Sequence, residues 1–249
     1  VARWFFIAVG MLTYSFCQFF PQFVKKHLIK RAHALVGDEV FQDRDFTPRY
    51  NPWDQRLCLC PDGDFFQVLR SGKASIVTDH IVEFTKSGIR LQDAKEELEA
   101  DIIVTATGLQ ILFAGGIQFK IDGQPVVPSS RFVYKGFMLN DAPNVFSATG
   151  YTNASWTLKV DLTNKAACRL INYMDEHGYR SCTPKLPVSE DKMEVRPLLD
   201  LTSGYVQRVA KDLPKQSTRV PWRLFQNYIY DKFVLEYTPL DDSSMTFFK

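Results

Sequence analysis

Two identical tripeptides, Ala106-Thr107-Gly108 and Ala148-Thr149-Gly150, each close an apolar run, and an arginine stands in the setting Trp53-Asp54-Gln55-Arg56. Arginine stays protonated at any working pH and presents a rigid fork of N–H donors, so Arg56 suits holding an anionic oxygen or an amide in place. Its plainer alternative is a surface residue paired with Asp54 or Asp62. Small residues at a strand end let a ligand approach the backbone closely, which makes Ala106, Thr107 and Gly108 candidate binding positions. The second tripeptide runs into Tyr151-Thr152-Asn153-Ala154-Ser155 and then a long helix. A helix start carries unpaired N–H groups and the positive end of the helix dipole. An anionic or electron-rich group is therefore the natural occupant beside Gly150, Tyr151, Thr152, Asn153 and Ser155.

The elements that must position these residues follow from periodicity. Leu158, Leu162, Ala166, Leu170 and Met174 are spaced four apart, and Ala167 and Ile171 widen the same face, so the spacing predicts an amphipathic helix. Asn153 or Ser155 can cap its start, His177 sits in the last turn and Gly178 can end it. Asp101 to Gly108 reads as a buried strand of a parallel sheet, and Asn144 to Ala148 as a second β-like run. Upstream, Asp62 to Arg70 predicts a short helix stopped at Gly72. Strands are predicted over 74–78, 81–85 and 89–92, an antiparallel meander turning at Lys86-Ser87-Gly88. Asp122-Gly123 marks a hairpin turn. Residues 182–197, with three prolines, read as a linker, Leu198 to Lys211 as helical, and the chain from Tyr228 on as apolar-aromatic strand-like fragments.

Composition narrows the function classes. With 249 residues, 45% hydrophobic and 23% charged, the chain is an ordinary globular protein able to bury a substantial core. A formal net charge of +2 gives no electrostatic case for nucleic acid. Five cysteines at irregular spacing argue against a secreted disulfide framework and for a reducing, cytoplasmic compartment. Cys58-x-Cys60 lacks the second pair or the histidine a zinc site needs, and the four histidines share no ligand spacing, so no metal is expected. Residues 4–20 are free of charge up to Pro21 and are followed by Lys25, Lys26, Lys30 and Arg31. A helix there is short for a membrane span; a packed helix, association of residues 4–31 with a membrane surface, and a span or signal peptide all stay open.

Longer motifs carry a resemblance. Thr47-Pro48-Arg49-Tyr50-Asn51-Pro52-Trp53-Asp54-Gln55-Arg56-Leu57-Cys58, the Asp101 to Gly108 run, Tyr134-Lys135-Gly136, Gly150-Tyr151-Thr152-Asn153-Ala154-Ser155-Trp156 and Leu213-Pro214-Lys215-Gln216 resemble the flavin-dependent Baeyer–Villiger monooxygenases, of the ethionamide-activating type. The match is to their C-terminal half. It implies an α/β fold, the C-terminal part of a flavoprotein with two dinucleotide-binding, Rossmann-like domains, with a small antiparallel meander and an N-terminal helical segment. Residues 1–100 would end the NADPH-binding domain, with the helical segment over 1–37 and the meander over 57–100. Residues 101–180 would belong to the FAD-binding domain, and 181–249 would be an extension packing on the cleft.

The implied activity uses FAD and NADPH to convert ketones to esters, or to oxidise sulfur, with oxygen through a C4a-peroxyflavin. Arg56 would steady the peroxide, the turn from Gly150 to Ser155 would face the flavin, and Lys215, Gln216 and Trp222 would border the NADP site. The glycine-rich FAD and NADPH turns of such enzymes do not occur here, as expected of a partial product lacking the N-terminal half. The rivals are another pyridine-nucleotide flavoprotein, such as an N-hydroxylating monooxygenase, and a non-catalytic remnant or membrane-surface binding fragment. The absence of a redox Cys pair weighs against a disulfide reductase.

Overall fold

The computed structural model describes residues 2–58, 60–94, 97–187 and 193–249. Two compact units result, one of residues 2–15 with 110–249, the other of 16–109. Helix α1 (Ala2–Phe19) contributes to both, and Pro21 at the first turn of α2 (Pro21–Val36) ends the continuous helix as the missing N–H dictates. Among the described residues no single helix is long and apolar enough to cross a membrane.

The unit of residues 16–109 holds α2, the short α3 (Asp43–Phe46), α4 (Asp64–Arg70) and an antiparallel meander of β1 (Ile81–Phe84), β2 (Gly88–Leu91) and β3 (Leu98–Glu99). The expected meander thus forms from 81 onward, with Ile81 opposite Leu91 and Ile89 opposite Leu98. The expected strand at 74–78 does not. Correction is needed also for Asp101 to Gly108. It lies in no ladder and is exposed throughout, Ile102 at 82% and Val104 at 84%. A parallel strand exists only where at least one neighbouring strand bonds to it, and it is buried only where both faces are covered. Among the described residues every named sheet is antiparallel and two- or three-stranded, so the apolar pattern has nothing to pair with.

The other unit is built around α5 (Trp156–His177). Leu162, Ala166, Leu170 and Met174 are buried as the spacing predicts. Ile171 is exposed, and the face widens instead through Lys159 and Thr163. The helix ends where Gly178 takes φ 67°, its N–H donating to Asp175 O and that of Tyr179 to Met174 O at 2.9 Å, a Schellman-type stop that glycine permits without strain.

Four short antiparallel pairs surround the helix. They are β4 (Lys120–Ile121) with β5 (Gln124–Pro125) across the expected Asp122-Gly123 turn, β6 (Val133–Tyr134) with β7 (Met138–Leu139), β8 (Ser181–Pro184) with β11 (Met245–Phe248), and β9 (Val195–Pro197) with β10 (Lys215–Ser217). The presumed linker 182–197 therefore begins and ends in strands, its residues 188–192 lying outside the described ones. The expected helix at 198–211 is only α6 (Gly204–Val209).

The strand-like reading after Tyr228 holds for Met245–Phe248 and is corrected for Tyr228–Tyr237. Residues Tyr228–Tyr237 form α7, opened by Asn227, whose side-chain oxygen accepts from the Tyr230 N–H at 3.1 Å. Aromatic residues favour strands on average, but Tyr228, Asp231 and Leu235 recur at helical spacing on the buried face. One core of this unit gathers Tyr134, Met138, Tyr151, Leu162, Leu170, Trp222, Tyr228 and Leu235. A second gathers Val133, Leu139, Leu198, Val209 and Leu213.

Candidate functional site

The turn that opens α5 is the most elaborately held stretch of the larger unit. The run from Asn144 to Ala148 starts in a turn, with Asn144 at φ 57°, and among the described residues joins no ladder. Single bonds hold it: Asn144 N–H to Cys182 O at 3.0 Å, Ser147 N–H to Phe137 O at 2.7 Å, and Cys182 N–H to Asn144 Oδ1 at 2.9 Å. Gly150 follows, buried. A Cβ at Gly150 would lie 2.1 Å from Cδ2 of Trp156. The glycine is required here because the indole of Trp156 lies against it.

The next residues are tied chiefly to one distant segment. Tyr151 is buried, and its hydroxyl donates to Asp231 Oδ2 at 2.7 Å. Thr152 donates to Gln226 Oε1, through its N–H at 3.0 Å and its hydroxyl at 3.3 Å, and Asn153 Nδ2 donates to Gln226 O at 2.9 Å. Asn153 Oδ1 is buried and, among the described residues, accepts no hydrogen bond, while the Asn153 side chain is also bonded to Tyr14. Asp231 Oδ2 also receives Lys159 Nζ at 2.9 Å, an ion pair with side chains only 7% and 11% exposed. Burial lowers the Lys159 pKa and Asp231 opposes it, while burial, then the Asp231 charge, raises that of the Tyr151 phenol.

Ser155 occupies the N-cap position. Its side chain makes no cap bond and instead lies 2.9 Å from the Thr157 hydroxyl, which leaves the first N–H groups of α5 without their usual N-cap acceptor. That donor set fits an electron-rich ring edge or an anion. A pocket of about 320 Å³ adjoins the turn, walled by Ile7, Met11, Tyr14, Asn153, Leu158 and Phe225.

In the smaller unit, Arg56 is exposed on a pocket of about 940 Å³. Lys25, Arg44 and Arg49 line the same pocket with a single carboxylate, Asp45, among the described residues, beside the aromatic rings of Tyr50, Trp53 and Phe65. Trp53 takes φ 71°, and Asp54 Oδ2 accepts from the Asn51 N–H at 3.0 Å, which turns the chain so that Arg56 faces the cavity. No ion pair with Asp54 or Asp62 forms among the described residues. Excess positive charge with flat apolar walls suits a phosphate-bearing, ring-containing cofactor.

Ala106, Thr107 and Gly108 are exposed backbone in this unit, with Gly108 at φ 103°. The structure thus brings Gly150, Tyr151, Thr152, Asn153 and Ser155 together in one turn and sets Arg56 on a cavity wall, the two groups belonging to different units. Trp222 lies in the core of this chain. It is 2% exposed and packs edge-on against Tyr134 at 5.5 Å, while Gln216 is buried, its amide bonded to Pro197 O and Leu224 N–H.

Sequence reasoning missed Lys159, Gln226 and Asp231. The available signal was a lysine one position from Leu158 on the apolar stripe, and a carboxylate inside an otherwise apolar-aromatic run.

No family model matches the chain. It is 43% identical over 249 residues to the FAD-containing monooxygenase EthA of Mycolicibacterium smegmatis, covering 100% of this chain and 50% of that protein. It is 44% identical over 247 residues to EthA of Mycobacterium tuberculosis, 99% of this chain and 50% of the relative. To the probable FAD-binding monooxygenase AlmA of Acinetobacter baylyi it is 46% identical over 243 residues, 98% and 48%. The chain spans about half the length of these curated relatives.

Proposed function

The chain belongs to the family of FAD-containing monooxygenases, whose C-terminal half it matches, and from that premise we propose that it forms the corresponding half of an FAD- and NADPH-dependent monooxygenase. Identity sustained along the whole chain is the observation that carries this reading. The architecture inferred is the C-terminal part of two Rossmann-like domains. Residues 1–100 end the NADPH domain, 101–180 belong to the FAD domain and 181–249 form an extension. The exposed, unladdered run from Asp101 to Gly108 supports a place in a parallel sheet completed by further chain.

FAD, when bound, supplies the two-electron chemistry that activates oxygen. This chain's residues bind, orient and stabilise charge. The start of α5, with Asn153 and Ser155, would offer N–H and hydroxyl donors to the electron-rich edge of a flavin ring. Ala106, Thr107 and Gly108 offer backbone with no bulky side chain in the way. Arg56 carries a permanent charge on a cavity wall already rich in cations, where it can hold an anionic oxygen and the amide of a nicotinamide. Lys25, Arg44 and Arg49 suit the phosphates of the dinucleotide. The substrate is a ketone or a sulfur compound: one oxygen atom enters the product, an ester or a sulfoxide, and the other leaves as water.

The test joins this chain to the N-terminal half of the M. smegmatis relative and compares it with its Arg56→Ala variant. The parent fusion is expected to be yellow and to form ester from a simple ketone with NADPH. The variant is expected to keep its flavin and lose at least a hundredfold in ester formation. Undiminished ester formation by the variant removes Arg56 from the mechanism, and a colourless parent fusion removes the reading itself.

A further inference from the structure

The C-terminal segment meets the rest of its unit through a repeated arrangement that the proposed chemistry does not use. Asp231 Oδ2 receives the Tyr151 hydroxyl at 2.7 Å and Lys159 Nζ at 2.9 Å. Eleven residues on, Asp242 Oδ2 receives the Tyr134 hydroxyl at 2.7 Å and Lys135 Nζ at 2.7 Å. Each aspartate thus takes one phenol and one ammonium on a single oxygen. Each phenol belongs to a glycine turn, Gly150-Tyr151 in one case and Tyr134-Lys135-Gly136 in the other.

The two clusters differ in what else they hold. Asp242 is 28% exposed, and Tyr134 also sits in the β6–β7 pair. Tyr151 belongs to no ladder, and Asp231 is 11% exposed. Around Tyr151, the side chains of Tyr151, Thr152 and Asn153 are bonded to Gln226 or Asp231, and that of Asn153 is bonded to Tyr14 as well. Lys159 completes the clasp from the second turn of α5, passing so close to Gly136 that a Cβ there would meet Lys159 Nζ at 3.3 Å.

A stretch with no ladder bonds has only its side-chain anchors to fix its conformation. A buried carboxylate between a phenol and an ammonium can hold it in one geometry, because any displacement leaves a charge without its partner. We propose that Asp231, acting through Tyr151 and held by Lys159, is the positioning residue for the turn that opens α5. Gln226 is its second anchor, and Asp242 is a plain structural tie. The proposal rests on the reading of this turn as flavin-facing for its consequence in catalysis, but not for its geometry.

Amide hydrogen exchange in the 249-residue chain tests the geometry without flavin. The reporters are the Thr152 N–H, which donates to Gln226 Oε1, and the Leu158 N–H, which donates to Ser155 O. Tyr151→Phe keeps the ring in the core and removes only the hydroxyl, so it folds even if Asp231→Asn does not. Both variants are expected to speed exchange at Thr152 and Leu158 at least tenfold more than at residues 166–177 of α5. Asp242→Asn is expected to leave Thr152 and Leu158 at the parent rate. Uniform acceleration along α5 and α7, or equal loosening of the turn by Asp242→Asn, overturns the proposal, because either makes Asp231 a general stabiliser.

In the fusion with the N-terminal half, Tyr151→Phe is expected to keep flavin content and KM while lowering kcat about tenfold. Unchanged kcat overturns the catalytic consequence. An inactive parent fusion defeats the functional reading and leaves the exchange result standing.

Discussion

The same three residues, Ala-Thr-Gly, end two apolar runs in this chain, and the runs have opposite fates. From Asp101 to Gly108 every residue is exposed and no strand pairs with it. From Asn144 to Gly150 the chain is half-buried and bonded to Phe137 and Cys182, and it delivers Tyr151 into the core. Local pattern does not separate them, and the first is the more β-like of the two. What differs is the surroundings. The second run has α5, α7 and the β8–β11 pair in its own unit, whereas the first shares its unit with α2, α3, α4 and a three-stranded meander that, among the described residues, makes no ladder with it. An apolar strand pattern is a demand for partners, and only the rest of the fold can answer it.

The largest effect that would break this comparison comes from the anchor of the second run. Asp231→Asn leaves Lys159 buried without its counter-charge and should cost about 3–5 kcal/mol, the usual cost of removing one member of a buried pair. Urea unfolding followed by tryptophan fluorescence measures it. A cost below about 1 kcal/mol would mean that the cluster does not hold the turn.

Next comes the glycine. Gly150→Ala sets a methyl against the Trp156 indole and should destabilise by about 1–3 kcal/mol, whereas Gly108→Ala, in exposed unpaired backbone, should leave the unfolding midpoint of the larger unit in place.

A smaller effect sharpens the contrast. Ile102→Asp should change stability of the 249-residue chain by no more than about 0.5 kcal/mol, as an exposed substitution does. In the fusion with the N-terminal half the same change should lower flavin content severalfold. An unaltered flavin content there would show that the first run is a surface segment in the longer protein too.

The smallest is a pH effect at the turn that leads into the second run. Asp141 accepts from Lys185 at 2.7 Å, Asn140 at 2.6 Å and Arg131 at 3.1 Å. Burial pushes its pKa up, but these hydrogen bonds and positive charges outweigh it and hold the carboxyl below its ordinary value. A carboxyl depressed in the folded state stabilises above its unfolded pKa and loses that contribution as pH falls through the folded one. Below about pH 4 the parent should therefore lose thermal stability more steeply than Asp141→Asn, with the two curves parallel above about pH 5. Melting temperatures across that range provide the check. Asp141 is partly exposed, so the difference will be modest.

Much of this was legible in the residues. Helix α5, its glycine stop, the meander and the Asp122-Gly123 hairpin follow from periodicity and turn chemistry that operate within a few residues of each other. So does the family, since Arg56 and the Gly150 to Trp156 motif stand in a recognisable order. The identity of α7 was not legible, because an aromatic-rich stretch suits either element until its buried face is chosen. Nor was the burial of Trp222, which depends on Tyr134 lying across from it.

By itself the sequence determined the local elements and the chemical character of the candidate groups: a permanent cation at Arg56, an open helix start after Gly150, small residues closing two apolar runs. Only the tertiary structure decided which groups meet. It put Trp156 into the space over Gly150, joined Tyr151 and Lys159 to Asp231 across about eighty residues of chain, and left Ile102 and Val104 in solvent. The physical reason is one of range. Backbone preferences and turn chemistry act between neighbours in the chain, whereas burial and charge pairing are settled only when distant segments exclude water together.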